Sequence, residues 1–122
     1  MMPIPAPEQP LRDPAAALAS VGGDIELAHE LLHALRAELP AELEALRACR
    51  AETDWPGLAD YVHQMRTVIR YCGVPALDAA LDALERAARI GDALRIDRDL
   101  ARVATQAGRL TGMPEPESIE HE

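Results

Sequence analysis

The sequence predicts an all-α fold: an antiparallel up-down four-helix bundle with a short additional N-terminal helix. Of the 122 residues 48% are hydrophobic, yet the chain has no Phe, two Tyr and one Trp. Ala and Leu therefore dominate, and both favour helices over strands. Four long segments repeat apolar residues every three or four positions, which is the spacing of one helical face. The connections between them are short, and short connections favour antiparallel neighbours.

The chain length fits a single domain with one modest core. Prolines at positions 3, 5, 7 and 10 disfavour regular structure, so we expect residues 1–12 to form a disordered tail. The bundle then occupies residues 13–111. Residues 112–122 are acidic and contain proline, which predicts a second disordered tail.

Capping residues place the first two helices. Asp13, followed by Pro14, begins a short helix that ends at Gly22. Asp24 begins a second helix, whose apolar face continues in register past Pro40. We expect either one kinked helix or two nearly collinear ones here, and we favour the kinked helix. The apolar positions of this face are Ala28, Leu31, Leu32, Leu35, Leu39, Leu43 and Leu46.

The same signals place the other three helices. Asp54 precedes a third helix, which runs to about Cys72 and is ended by Gly73. The fourth helix covers residues 75–89, is closed by Ile90 and Gly91, and repeats Leu and Ala on one face. The fifth covers residues 92–110 and again has a single apolar stripe.

Charge and composition exclude several classes of protein. A net charge of -9 and a pI near 4.8 argue against a nucleic-acid partner, because such binding needs cations that neutralise phosphates. No stretch approaches the roughly 18 apolar residues of a membrane span, and no signal peptide is recognisable. We therefore expect a cytoplasmic protein, in which Cys49 and Cys72 are reduced thiols.

One motif suggests a metal site. His29, Glu30 and His33 spell H-E-x-x-H, the pattern of zinc proteases. These residues lie on the polar face of the second helix, and Arg36 and Leu39 occupy the positions where the extended zinc-protease pattern places a Gly and a third His. We expect a solvated helix face and no metal ligands, and a zinc hydrolase remains a distant alternative.

A second histidine has more suggestive neighbours. His63 lies about 140° from the apolar stripe of the third helix, so it should be exposed. Ala59 precedes it by one turn, and Arg66, Thr67 and Arg70 follow within two turns. Two guanidinium groups would disfavour protonation of the imidazole and could hold a dianionic phosphoryl group. Exposed histidines beside arginines are also common on helices, so an inert surface residue stays open on spacing alone.

The segment resembles the histidine-containing phosphotransfer (HPt) domain, a family of four-helix bundles that relay phosphoryl groups between receiver domains. The family pattern has an acceptor His, then Lys three residues on, Gly four residues on and Gly ten residues on. His63, Arg66, Thr67 and Gly73 occupy these positions. The run RYCGVP is most like the HPt module of BarA/GacS-type hybrid sensor kinases. The similarity covers roughly residues 24–90.

The resemblance implies a phosphoryl carrier without ATPase or kinase activity, which accepts a phosphoryl group from a receiver aspartate and passes it on. The implied roles are His63 as acceptor, Arg66 and Arg70 as phosphoryl-stabilising residues, Ala59, Gln64 and Thr67 as the docking surface, and Gly73 as the structural end of the helix. It implies no cofactor on this chain, since Mg²⁺ belongs to the receiver. The expected partners are receiver domains and possibly a hybrid sensor kinase, with the chain itself a monomer.

The sequence departs from the family pattern at three positions. Arg66 replaces Lys, Thr67 replaces the Gly beside which a receiver approaches, and Val68 stands where small residues are usual. These departures motivate an alternative, a degenerate HPt-like adaptor that binds a receiver or kinase without phosphotransfer. Whether the chain is free-standing or the end of a longer kinase stays open.

Overall fold

The computed structural model describes residues 9–114, which form five α-helices. These are α1 (Pro14–Ser20), α2 (Ile25–Ala51), α3 (Trp55–Ile69), α4 (Pro75–Ile90) and α5 (Ala93–Thr111). The all-α prediction is confirmed. Helices α2 to α5 form the bundle: α3 and α5 both pack extensively on α4, α2 closes the ring against α3 and α5, and α1 contacts α2. Most of the two predicted tails, residues 1–8 and 115–122, lies outside the described residues.

Capping aspartates begin four of the helices, and three of them, Asp13, Asp24 and Asp54, are the predicted ones. Each aspartate side chain accepts a hydrogen bond from a backbone N–H three residues later, which satisfies one of the donors left free in the first turn. The pairs are Asp13 with Ala16, Asp24 with Leu27, Asp54 with Gly57, and Asp92 with Arg95. Gly91 ends α4 in the left-handed conformation, where glycine carries no steric penalty.

Helix α2 agrees with the favoured prediction of one helix, and helix α3 is shorter than predicted. Helix α2 is a single α-helix that runs through Pro40. Helix α3 ends at Ile69, earlier than the predicted Cys72. The Cys72 N–H donates to the Ile69 carbonyl at 2.9 Å, so a tight turn follows the helix and leads into Gly73.

The residues before α1 lie against this turn. The Asp13 N–H donates to the Gly73 carbonyl at 2.8 Å, and the Ala76 N–H donates to the Pro10 carbonyl at 3.0 Å. Leu11 packs on the hydrophobic core. Pro10 and Leu11, near the end of the predicted N-terminal tail, are therefore held on the bundle, Pro10 by the first turn of α4 and Leu11 by the core.

Leucine supplies most of the core. The largest fully buried apolar side chains are Leu39, Leu46, Leu58, Leu77, Leu81, Leu84, Ile96, Leu110, Val62 and Val103. Cys49 and Cys72 are free thiols, as expected, and burial raises the pKa of both. Within residues 9–114, no helix combines the length and the hydrophobicity that crossing a bilayer requires. Two acidic residues, Glu85 and Asp99, are buried in the bundle, and the first of them contacts the predicted site.

Candidate functional site

His63 lies near the middle of α3 with its side chain 54% exposed. The prediction that it faces solvent is confirmed. Its neighbours Val62 and Met65 are buried in the core, so the helix that carries the imidazole is fixed by packing on its opposite face.

One ring nitrogen of His63 contacts a residue that the sequence analysis did not identify. His63 Nδ1 is 3.2 Å from Glu85 Oε2, on α4. The Glu85 side chain is only 11% exposed. Burial by itself raises the pKa of Glu85, but hydrogen bonds from Arg89 and Arg66, together with His63, lower it on balance. A buried carboxylate that is paired with cations stays ionised.

Arg66 is held in the interface between α3 and α4. Its Nε donates to Asp78 Oδ1 at 2.9 Å, and its Nη1 donates to Asp82 Oδ1 at 2.9 Å and to Glu85 Oε1 at 3.3 Å. The Arg66 side chain is 20% exposed, and its hydrogen bond to Asp78 is the main cause that raises the pKa of Arg66. The predicted picture of an imidazole ringed by two free guanidinium groups is therefore corrected, because α4 places three carboxylates beside Arg66.

The other polar residues of this face are exposed. Arg70 lies in the turn after α3, and its guanidinium group forms no hydrogen bond or ion pair with any part of residues 9–114. Thr67 Oγ1 donates to the Gln64 carbonyl at 2.7 Å. The Thr67 hydroxyl is therefore bonded to its own helix, while both Gln64 and Thr67 remain at the surface.

The predicted docking role of Ala59 is wrong. Ala59 has 0% exposed surface, although it precedes His63 by one helical turn. Helix α4 packs over this part of α3, as the contact between His63 and Glu85 and the 3.9 Å ion pair between Asp60 and Arg89 show. The side of His63 that a partner can approach is therefore the side of Gln64 and Thr67.

A groove between α2 and α3 borders that accessible side. It has a volume of about 590 Å³ and a mostly apolar lining. Val68, which is 63% exposed, and the exposed Tyr71 form part of its rim. Deeper in, the Tyr61 hydroxyl donates to Glu42 Oε1 at 2.5 Å and joins the two helices. Large exposed apolar side chains beside a groove are typical of interaction surfaces.

The H-E-x-x-H motif lies apart from this site. His29 and His33 are exposed on α2, as the helical periodicity predicted. Within residues 9–114, no cluster of three or more His, Cys, Asp or Glu side chains is arranged to hold a metal ion.

Comparisons with known proteins match this chain to one family. The family model described as Hpt domain matches residues 25–113. The chain is 35% identical over 96 residues to the sensor histidine kinase GacS of Pseudomonas protegens. The alignment covers 74% of this chain and 10% of that protein. It is 38% identical over 68 residues to the sensor protein GacS of Pseudomonas syringae pv. syringae, covering 56% of this chain and 8% of that protein. No solved structure gives a significant match. The chain spans about a tenth of the length of these relatives, and it belongs to the Hpt domain family.

Proposed function

We propose that this chain is a phosphoryl carrier of a two-component phosphorelay, and that His63 is its acceptor. The observation that carries the proposal is the His63 imidazole itself, which is exposed on a rigid helix and anchored through Nδ1, while Nε2 forms no hydrogen bond or ion pair within residues 9–114. Membership of the Hpt domain family and the similarity to two GacS sensor proteins support the same role.

The chemistry needs few groups on this chain. An electron pair of a ring nitrogen attacks the phosphorus of a receiver aspartyl phosphate, the N–P bond forms, and the P–O bond to the aspartate breaks with its electron pair staying on the carboxylate. Passing the group to a second receiver reverses these steps. Phosphoryl transfer depends mainly on positioning and charge stabilisation, and the receiver supplies Mg²⁺. Arg70 is the guanidinium group left available for the phosphoryl oxygens.

The partners in this proposal are receiver domains and a sensor kinase, and the chain acts as a cytoplasmic monomer. A receiver must cover the accessible side of His63, so it would also cover Gln64, Thr67 and the groove rim at Val68 and Tyr71. The exposed apolar rim supports this assignment, since buried apolar contacts at the centre of an interface contribute most of the binding energy.

Transfer from phosphorylated receiver domains tests the acceptor assignment. We expect radiolabelled phosphate to pass from at least one receiver to the wild-type chain as an acid-labile, base-stable adduct. His63→Gln should abolish the adduct and keep the fold, because the side chain is half exposed and the Gln amide can still donate to Glu85. His29→Gln, which changes an exposed histidine on α2, should leave transfer unchanged. Labelling that persists in His63→Gln, or the absence of transfer from every receiver, would contradict the proposal.

A substitution at the groove rim tests whether this surface contacts the receiver. Val68→Asp places a charge on the groove rim and should raise the concentration of receiver needed for half-maximal transfer about tenfold, which corresponds to roughly 1.4 kcal/mol of binding energy. Leu94→Asp is the matched control, because Leu94 is also a strongly exposed apolar residue but lies on α5. Titration of transfer rate against receiver concentration measures both. Equal effects of the two variants would show that the groove rim does not contact the receiver.

A further inference from the structure

We infer that the outer face of α5 is a docking surface for an acidic helix of a partner protein, separate from the surface around His63. This face carries a row of exposed arginines, called here the arginine stripe, which consists of Arg95, Arg98, Arg102 and Arg109. A helix bound to the stripe would remain in place while a receiver covers His63. The bundle would then hold a second partner in addition to carrying a phosphoryl group.

The four arginines form one row along α5. At roughly 100° per residue they lie within about 60° of one another around the helix axis, and the row is about 21 Å long from Arg95 to Arg109. All four are exposed, and the Arg98 side chain is 57% exposed. Asp97, which pairs with Arg50 of α2, lies at least about 100° away from the row around α5. The stripe is therefore on a side of α5 that is turned away from α2.

The carboxylates of this chain leave most of the stripe unpaired. On α2 and α4, exposed arginines form ion pairs with acidic residues of their own helix. The Arg95 and Arg102 guanidinium groups, by contrast, form no hydrogen bond or ion pair with any part of residues 9–114. Arg109 donates to the neutral Gln106 Oε1 at 3.2 Å. Three positive charges of the stripe are thus available to a partner.

One buried carboxylate lies beneath the stripe. Asp99 has 0% exposed surface, and its two oxygens accept from Arg98 Nε at 3.2 Å and from Arg98 Nη2 at 3.4 Å. Asp99 is also one turn from Arg95 and from Arg102, but it forms no ion pair with either of them within the described residues. Asp99 therefore orients one guanidinium group at the surface and leaves the others to contacts outside this chain.

Charge identifies an acidic and narrow partner. The net charge of the chain is -9, so the surface outside the stripe is more acidic still. A bilayer or a nucleic acid would bring a broad anionic surface within a Debye length of these acidic faces, which is about 8 Å at physiological salt. The resulting repulsion disfavours both. A single helix is narrow enough to contact the stripe alone.

The spacing of the stripe fits a helix in particular. Arg95, Arg102 and Arg109 recur at intervals of seven residues. Carboxylates that recur every seven residues on a neighbouring helix would lie opposite them, as charged residues do across the seam of a coiled coil. Each arginine can then bind a carboxylate through two parallel hydrogen bonds.

The stripe and the surface around His63 can be occupied at the same time. Within residues 9–114, α3 packs on α2 and α4 and does not pack on α5. The receiver-facing residues Gln64 and Thr67 are on α3, so α5 lies across the bundle from them. A partner on the stripe would therefore leave transfer to and from His63 unchanged.

NMR titration of the whole chain with a designed peptide tests the docking surface without any receiver. The probe is an alanine-rich helical peptide of about 20 residues, with pairs of glutamates three residues apart that recur every seven residues. A control peptide has the same composition but distributes its glutamates around the helix. At about 0.1 M salt, we expect saturable chemical-shift changes confined to α5 and at least about fivefold weaker binding of the control peptide.

Two charge-reversing variants complete the test. Arg102→Glu should weaken binding of the probe about tenfold, whereas Arg47→Glu, which makes the same charge change at an exposed site on α2, should weaken it less than about twofold. Equal effects of the two variants, equal binding of the two peptides, or tighter binding to phosphatidylglycerol vesicles than to the probe would overturn the inference. Slower transfer to His63 at saturating probe would show that the two surfaces overlap, which also overturns it.

Discussion

Replacing Gly73 with alanine is expected to destabilise the fold by about 2–4 kcal/mol. Gly73 has a φ of +62°, and a Cβ at this position would lie 2.3 Å from the Asp13 carbonyl oxygen and 2.9 Å from the Ala17 Cβ. The left-handed backbone costs a residue with a side chain about 1 kcal/mol. Relief of the contact with Asp13 requires the backbone before α1 to move, which breaks the 2.8 Å hydrogen bond between the two residues. Urea unfolding at neutral pH measures the loss.

Gly22→Ala separates the two contributions to this loss. Gly22 has a nearly identical φ of +65°, but a Cβ there meets nothing within 4 Å. Only the cost of the left-handed backbone then applies, so we expect a loss of about 1 kcal/mol. Equal losses for the two variants would mean that Gly73 is needed for its backbone conformation alone, and not for the close approach of the N-terminal segment.

The helices could be predicted from the sequence because the signals that begin and end them are local. An aspartate that caps a helix acts on a backbone N–H three residues away, so Asp24 and Asp54 identify helix starts without any knowledge of the fold. Pro40 was harder to interpret, since a proline within an apolar stripe is compatible with a break or with a continuous helix. The stripe that continued past it was the better guide, and α2 is one helix.

The site was only partly predictable, because its chemistry depends on how α3 and α4 face each other. Periodicity placed His63 at the surface correctly, but it treats each helix as having a single neighbour. Helix α3 has α2 on one side and α4 on the other, so its buried arc is wider than one stripe and includes Ala59. A row of acidic residues at helical spacing, Asp78, Asp82 and Glu85, was visible in the sequence. Only packing shows that this row faces Arg66.

Arg66→Met is expected to destabilise the protein by about 2–3 kcal/mol at neutral pH, because it leaves α4 carboxylates at the helix interface without their shared cation. The pKa of Glu85 is lowered in the folded protein, so Glu85 stabilises the fold at pH values above its unfolded pKa of about 4.3. This contribution is lost as the pH falls through the lower, folded pKa. Removing Arg66 weakens one cause of the lowered Glu85 pKa. The difference in free energy of unfolding between wild type and variant should therefore shrink below about pH 4.

Two further arginine variants show what Arg66 provides. Arg66→Lys keeps the charge, but one ammonium group lacks the planar fork that spans Asp78 and Asp82 together, so we expect a loss of about 1 kcal/mol. Arg86→Met removes a strongly exposed partner of Asp82, and exposed pairs contribute at most about 1 kcal/mol. The three variants are compared by urea unfolding at pH 7 and pH 4 and by transfer rates at pH 7. If Arg66→Met cost no more than Arg86→Met but still abolished transfer, Arg66 would contact the phosphoryl group directly, as first predicted from the sequence, and Glu85 would be held by Arg89 alone.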